Sequence, residues 1–406
     1  MNDCILVINC GSSSIKFALV PLQADHPRPG GLVERLGTSE PVLKITDENG
    51  IRQQFDLAGA DHPAAMKAIL EHLGERQPIA IGHRVVHGGE RFKSATLIDD
   101  DVIDGIRKCT SLAPLHNPAN LDGIEATRRL FPELPQVAVF DTAFHQTMPE
   151  HAYRYAIPTE LYQKHGIRRY GFHGSSHAYI TERLAELSER GTGGWVIAHL
   201  GNGCSATAVW QGRSMDTSMG MTPLEGLVMG TRSGDVDPGL HLHLANQCGW
   251  SVQQIDQMLN KHSGLMGVSG LSPDMRDLEQ AADKGHAGAR LALDVFCYRL
   301  ARTLAALSCA LPRLDGIAFT GGIGENSPLV RARALSMMNA LRPCLSAAAN
   351  ENLARGSEGR IDQARNDDTT EVRPEIWVIP TDEEGHIARE TSELVQTHAN
   401  HPEART

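Results

Sequence analysis

The sequence predicts an α/β protein of two domains, and three observations carry that prediction. The chain has 406 residues, beyond the size at which a single hydrophobic core stops growing. Short apolar runs alternate with longer amphipathic stretches, as strands alternate with helices. The run ILVINCGSSSIKFALV from Ile5 also matches VIAHLGNGCSATAV from Val196 in pattern. Each reads as an apolar strand, a turn of small residues and a second β-patterned strand. In that alignment Asn9 falls on His199, Gly11 on Gly201 and Val20 on Trp210. The match is one of pattern rather than identity, and unrelated hairpins share it.

The elements follow in order. Ile5 to Ile8 reads as a buried strand and Ile15 to Val20 as its continuation after a turn. Pro63 to Leu73 reads as a helix, and Ile79 to Val86 as a strand ending in His87-Gly88-Gly89. A helix from about Leu121 to Leu130 leads into a strand from Val137 to Phe140. Beyond Pro149 the order repeats, with a helix after Ser176 and strands at Trp195 to His199 and Ala206 to Trp210. Arg276 to Leu311 reads as helical in more than one piece. A strand from Ile317 to Thr320 runs into Gly321-Gly322-Ile323-Gly324. The last strand is Ile376 to Ile379, followed by a short helix. The polar segment Ser357 to Pro374 reads as a surface excursion.

Composition narrows the class. Apolar residues make up 41% and charged residues 21%, enough to fill sizeable cores. A net charge of -11 argues against a general nucleic-acid or anionic-membrane surface. The 8 cysteines are scattered without a CxxC pair, which suits free thiols in a reducing compartment. Met1-Asn2-Asp3 opens no signal peptide, and no apolar run is long enough to span a bilayer. The expectation is a cytoplasmic protein with neither a nucleic-acid nor a membrane partner.

Three glycine-rich turns carry the chemistry. In NCGSSSIKF, glycine admits close backbone approach, while consecutive amides and serine hydroxyls make an anion cradle. A plain hairpin turn explains that loop equally well, and the GxxxxGK[ST] pattern is absent. HLGNGCSATAV offers His199, Asn202 and two glycines. FTGGIGENS places three glycines before Glu325 and Asn326, which open a helix, a place suited to a nucleotide. No GxGxxG spacing supports a dinucleotide site. Arg84 in GHRVVHGGE and Arg232 in GTRSGDVDP lie among small residues, and arginine suits bidentate capture of carboxylate or phosphate. Either one alone is more often a structural ion pair.

Among 19 histidines, His116 sits in PLHNP and His173 and His177 sit in RRYGFHGSSH. Gly174 argues against one continuous helix there, and without HExxH a hydrogen bond from His173 to a phosphate oxygen is preferred over a metal. His83, His87, His241 and His243 read as ordinary core or surface groups. Asp141 follows the strand VAVF and Glu383 follows IWVIP, at the strand ends where α/β sites lie. Mg²⁺ takes one or two carboxylates plus phosphate oxygens, which these residues suit. Helix capping is the competing reading of Glu383 and its neighbours.

Together, NCGSSSIKF, GHRVVHGGE, APLHNPAN, VAVFDTAFHQTMP, RRYGFHGSSH, HLGNGCS, DTSMGMTPLEGLVMGTRSGDVDP, FTGGIGEN and IPTDEE resemble the acetate kinase family in order and spacing. The likeness covers nearly the whole chain. It implies the duplicated βββαβαβα core of the sugar kinase, Hsp70 and actin group, ribonuclease H-like in each half. The implied domains are 1–145 plus 383–406, and 146–382. By resemblance, Asp141, Arg84, Arg232 and His173 are catalytic, with Arg232 and His173 stabilising the transition state. Arg84, Val86, Leu115, Phe172 and Pro223 would hold the substrate. Lys16, Ser12, Ser14, His199, Leu200, Gly201, Asn202, Gly203, Asp274, Met275, Arg276, Gly322, Ile323, Gly324 and Asn326 would hold ATP. Asn9 and Glu383 would hold Mg²⁺, with Mn²⁺ able to substitute, and His116 would stand near. A homodimer formed through the second domain is implied by the resemblance alone. The family often has asparagine where Asp382 stands, so an extra charge beside Glu383 is a departure. The stretch from Leu341 to Pro374 matches no motif.

A carboxylic acid with a pKa of about 4 to 5 is ionised at neutral pH, so as a nucleophile it needs no base. The difficulty is two approaching anions, which arginines, Mg²⁺ and a histidine donor would neutralise. The two domains would close over the nucleotide and exclude water. The leading expectation is reversible transfer from ATP to acetate, giving acetyl phosphate and ADP. A propionate or other short-chain acid kinase is the alternative, and Val86 leans toward acetate. A nucleotide-gated binding protein of the same fold is the alternative from another class. It leaves Arg84, Arg232 and the apolar pocket without a use.

Overall fold

The computed structural model describes residues 3–23, 28–73, 78–363 and 373–400. The chain divides into two units, Met1–Gln146 with Asp382–Thr406, and Thr147–Thr381. In the first, β1 (Cys4–Cys10), β2 (Ser14–Pro21), β3 (Gly30–Glu34), β4 (Val42–Thr46), β5 (Arg52–Asp56), β6 (Ala80–Val85), β7 (Thr96–Leu97) and β8 (Gln136–Phe140) form one sheet. Its order is β5-β4-β3-β2-β1-β6-β8-β7. β1, β6 and β8 run parallel, while β1 to β5 are antiparallel in succession. The parallel strands are covered on both faces, so their sequences are nearly continuous apolar runs and are easily read. β3, β4 and β5 have no counterpart among the strands that the sequence predicts. Their apolar residues Val33, Leu43 and Phe55 face the core, while Lys44 and Gln54 on the other face are exposed.

The second unit holds β9 (Gly194–Leu200), β10 (Cys204–Trp210), β11 (Arg213–Thr217), β12 (Gly316–Thr320), β13 (Gly359–Arg360) and β14 (Glu375–Val378), in the order β11-β10-β9-β12-β14-β13. The run β3-β2-β1-β6-β8 of the first sheet and β11-β10-β9-β12-β14 of the second have the same order and the same directions. The core is therefore duplicated. Asn9 pairs with Lys16 and His199 with Ser205, each one residue from the end of its hairpin's first strand.

Several elements are longer than the sequence indicated. The last helix, Glu383–Asn400, has 18 residues, not a short stretch. It follows β14 in the chain but belongs to the first unit, packing on β1, β6 and β8 through Ile387 and Ala388. The helix Asn117–Leu130 starts ahead of Leu121, with Pro118 in its first turn, where a missing N–H costs nothing. The helix Gly174–Leu187 starts at Gly174 itself. The long helical stretch is two pieces, Met275–Asp283 and Ala287–Ser308. Residues 364–372 of the expected surface excursion lie outside the described residues. Among the described residues no helix is long and apolar enough to cross a membrane. All eight cysteines are free thiols.

His83 on β6 is a satisfied core group, with Nε2 2.9 Å from Gln136 Oε1. Burial lowers its pKa from 6.5 to about 4, against the pull of the Gln136 bond. The unfolded chain therefore binds a proton that the folded chain refuses. The stabilising effect is complete above 6.5 and is lost as pH falls toward about 4. It amounts to roughly 3 kcal/mol. His83→Gln is expected to flatten the fall of unfolding free energy across that window, measured by urea denaturation at several pH values. An unchanged slope would assign the proton elsewhere.

Candidate functional site

In the first unit, the C-terminal ends of the three parallel strands carry Asn9, Arg84 and, one residue past β8, Asp141. Arg84 donates from Nε to Asp141 Oδ1 at 2.9 Å and from Nη2 to Asp141 Oδ2, a bidentate pair. Its Nη1 donates to Asn9 Oδ1 at 3.1 Å. Asp141 is almost wholly buried. Burial pushes its carboxyl up from the ordinary value, against the pull of Arg84. Burial is the largest single influence on Arg84 and works against its charge, but Asp141, Glu383 and Glu384 together outweigh it, and the guanidinium stays charged. His116, at the N-cap of Asn117–Leu130, is close enough to act on Asp141. Lys16 lies opposite Asn9 and pairs with Glu384 at 2.5 Å. Ser12 is exposed and Ser14 closes the turn, its carbonyl accepting from Gly11 N at 2.7 Å. Val86 is buried just past β6, while Leu115 is exposed.

The departure at Asp382 has a local explanation. Arg28 Nη1 lies 2.6 Å from both Asp382 oxygens. Asp382 Oδ1 also accepts from Gly385 N at 3.0 Å, capping the helix that begins at Glu383. Its charge is compensated within the unit, and Glu383 is left for other use.

In the second unit, His173 adopts a left-handed conformation (φ 56°) at the N-cap of Gly174–Leu187. Such a backbone in a non-glycine residue is uncommon and marks a constrained position. His173 and His177 are not a metal pair. Both meet Ser205 Oγ, at 2.9 and 2.8 Å. The His173 ring stacks on His199. Arg232 Nη1 donates to the Pro223 carbonyl at 2.7 Å. Gly203 lies against these groups. A Cβ there would come 3.4 Å from His173 Nε2 and 3.5 Å from Arg232 Nη2. The absent side chain therefore leaves space beside a histidine edge and a guanidinium. Phe172 is buried beside His173 in the chain.

A cavity of about 690 Å³ opens beside the second hairpin. It is lined by Gly201, Asn202, Asp274, Met275, Arg276, Gly322, Ile323 and Asn326, residues from three separate stretches of the chain. Its size suits a nucleoside, and its wall mixes apolar Met275, Ile323 and Leu353 with polar Glu279 and Ser327. His199, Leu200, Gly203 and Gly324 do not line it, and Leu200 and Gly324 are buried against the sheet. The glycine turn differs from expectation. Glu325 and Asn326 do not open a helix but end one, Gly321–Asn326. Gly321 (φ 77°) makes the turn out of β12, a conformation that favours glycine.

The sequence reading missed the residues that hold these parts together. Asn120 accepts from Val86 N at 3.0 Å and donates to the Cys10 carbonyl at 2.6 Å, tying the first hairpin to the Arg84 strand. It lies in PLHNPAN, the motif from which the resemblance names Leu115 and His116. Asn120→Ala is expected to cost about 2–4 kcal/mol, since two buried backbone groups lose a partner. Denaturant unfolding measures it, and a loss below about 0.5 kcal/mol would refute the tie. Arg331 is buried in the cavity wall and donates to the Gly324 and Glu325 carbonyls and to Asn350. Burial lowers its pKa to about 10. Glu325 Oε1 accepts from Gly321 N at 2.8 Å and Thr381 N at 3.1 Å, joining the ends of β12 and β14. Nothing in the local pattern marks Arg331.

The family model described as Acetokinase family matches residues 4–389. An acetate kinase of Ectopseudomonas mendocina (strain ymp) is 56% identical over 396 residues, covering 96% of this chain and 98% of that protein. Among solved structures, a propionate kinase from Francisella tularensis subsp. tularensis SCHU S4 superposes with a TM-score of 0.90 at 44% identity, covering 96% of this chain and 99% of that one. The acetate kinase of Porphyromonas gingivalis superposes with a TM-score of 0.90 at 41% identity, covering 97% and 100%.

Proposed function

The chain belongs to the acetokinase family, and from that premise we propose that it moves a phosphoryl group reversibly between ATP and acetate, giving acetyl phosphate and ADP. One observation carries the choice of acceptor. Asp141 stands at the strand ends with Arg84 and Asn9, and Arg84 engages both its oxygens. A hydroxyl would find no free base there, whereas an ionised carboxylate needs none. Arg84 and Arg232 then hold the carboxylate and the phosphoryl group in transfer, and His173 donates to an equatorial oxygen. The nucleoside occupies the cavity at Met275 and Ile323, with its phosphates toward Asn202.

A kinase needs a divalent cation, and the donors present suit a hard one. Asn9, Asp141 and Glu383 offer oxygen alone, and among the described residues no three His, Cys, Asp or Glu side chains gather as a metal cage. Mg²⁺ prefers this, since it keeps waters and phosphate oxygens in its shell. Asn9 and Glu383 would hold it, with Asp141 organising the shell. When bound, it neutralises charge on the β- and γ-phosphates.

The test is initial-rate ADP formation with Mg-ATP and acetate, propionate or butyrate. Acetate is expected to give the highest kcat/KM, each added methylene costing about 1–3 kcal/mol. Preference for propionate would favour the acceptor named for the 44% identical structure. If no short acid stimulates ADP formation, the kinase reading fails. A cytoplasmic homodimer belongs to the same reading. Leu242, Val252, Leu291 and Tyr298 of the second unit are exposed apolar groups that a partner copy could cover.

A further inference from the structure

His173 and His199 stack with ring centroids 4.3 Å apart and planes inclined by 28°. Each ring sets Nδ1 against a serine hydroxyl, His173 against Ser205 Oγ at 2.9 Å and His199 against Ser176 Oγ at 2.8 Å. Both serines are fully buried. Each oxygen has a second partner behind it. His177 Nε2 lies 2.8 Å from Ser205 Oγ, and Thr381 Oγ1 lies 2.8 Å from Ser176 Oγ. The opposite edges of both rings face the same turn. A Cβ on Gly203 would lie 3.4 Å from His173 Nε2, and one on Gly201 would lie 3.8 Å from His199 Nε2.

A hydroxyl has one proton to give, and a neutral imidazole carries its proton on one nitrogen only. We propose that Ser205 and Ser176 are positioning residues that select the Nε2–H tautomer of His173 and His199. Ser205 accepts from His177 Nε2–H and donates to His173 Nδ1. Ser176 accepts from the Thr381 hydroxyl and donates to His199 Nδ1. Each proton between these atoms then has an acceptor, and both rings present an N–H to the Gly201–Gly203 turn. The reverse tautomers would present two lone pairs there and repel a phosphate oxygen. Two stacked imidazolium rings would repel each other, so a pair of neutral rings with fixed donors supplies the same hydrogen bonds without that cost. The proposal rests on the kinase reading, which is what requires donors at this turn.

The test uses the full chain labelled with ¹⁵N-histidine and long-range proton–nitrogen correlation at neutral pH. His173→Gln and His199→Gln identify the two rings. In the wild type both are expected to show a pyridine-type Nδ1 and a pyrrole-type Nε2. A pyrrole-type Nδ1 on His173 would overturn the proposal, whatever the kinetics. Ser205→Ala is expected to turn the His173 signals into a tautomer mixture and leave those of His199 unchanged. Its kcat should fall about ten- to hundredfold, with KM for ATP changed by less than about threefold. Ser176→Ala should do the same to His199. A Ser205→Ala enzyme with wild-type kcat would also overturn the proposal. Absence of acetate-dependent ADP formation by the wild type would overturn the kinase reading instead. The nitrogen shifts distinguish the two failures.

Discussion

Arg232→Ala is expected to lower kcat by about a thousandfold or more while the protein stays folded. The guanidinium is anchored through Nη1 on the Pro223 carbonyl. Its Nη2 reaches the space left by the missing side chain of Gly203, beside His173. A planar cation at that position suits the charge that spreads over the equatorial oxygens during transfer. Removing it takes away stabilisation that matters most in the transition state, so kcat should fall with kcat/KM. The hydrogen bond to the Pro223 carbonyl contributes about 1 kcal/mol to the folded state. Arg232→Lys keeps the charge but not the fork, and should recover part of the rate. Steady-state kinetics with a thermal melt on each variant decides it. Activity within about tenfold of wild type would remove Arg232 from the site.

Arg84→Ala is expected to abolish activity and also to destabilise the fold, by about 3–5 kcal/mol at neutral pH. Asp141 is almost wholly buried, and Arg84 supplies both bonds to it. Burial already raises its folded pKa, with Arg84 as the main opposing influence. Without Arg84 that value rises further. The folded variant then holds a proton that the unfolded chain releases, so stability falls as pH rises from about 4 through the raised folded value. The variant should accordingly be less handicapped at about pH 5 than at about pH 7. Adding Asp141→Asn should restore part of the stability and none of the activity, because it removes the stranded charge. Urea unfolding at the two pH values measures this. A variant whose handicap is the same at both would mean that Asp141 is not the stranded group.

The parts of the fold legible in the sequence share one property, that local pattern encodes them. β1, β6 and β8 read as strands because burial on both faces makes them apolar at nearly every position. The three glycine-rich turns and the flanking arginines are short contiguous strings, and their order along the chain carries the family resemblance. β3 to β5 escaped because one of their faces is exposed and polar, so RQQFD offers little apolar signal. Asn120, Arg331, Ser176 and Ser205 escaped for another reason. Their neighbours in sequence say nothing of what they touch, and their work is to hold other residues in place.

By itself the sequence determined the family, the paired hairpins and the inventory of charges that an anionic acceptor requires. Only the tertiary structure decided how those groups meet. Arg84 is separated by 57 positions from Asp141 and by 75 from Asn9, yet the three stand in one row. They do so because parallel strands align their ends through packing between distant segments. Tertiary packing likewise decided that Asp382 is matched by Arg28, and which nitrogen each stacked histidine turns toward the Gly201–Gly203 turn. The physical reason is the same in each case. Pairing register and burial depend on contacts between segments far apart in the chain, and no local pattern of residues records them.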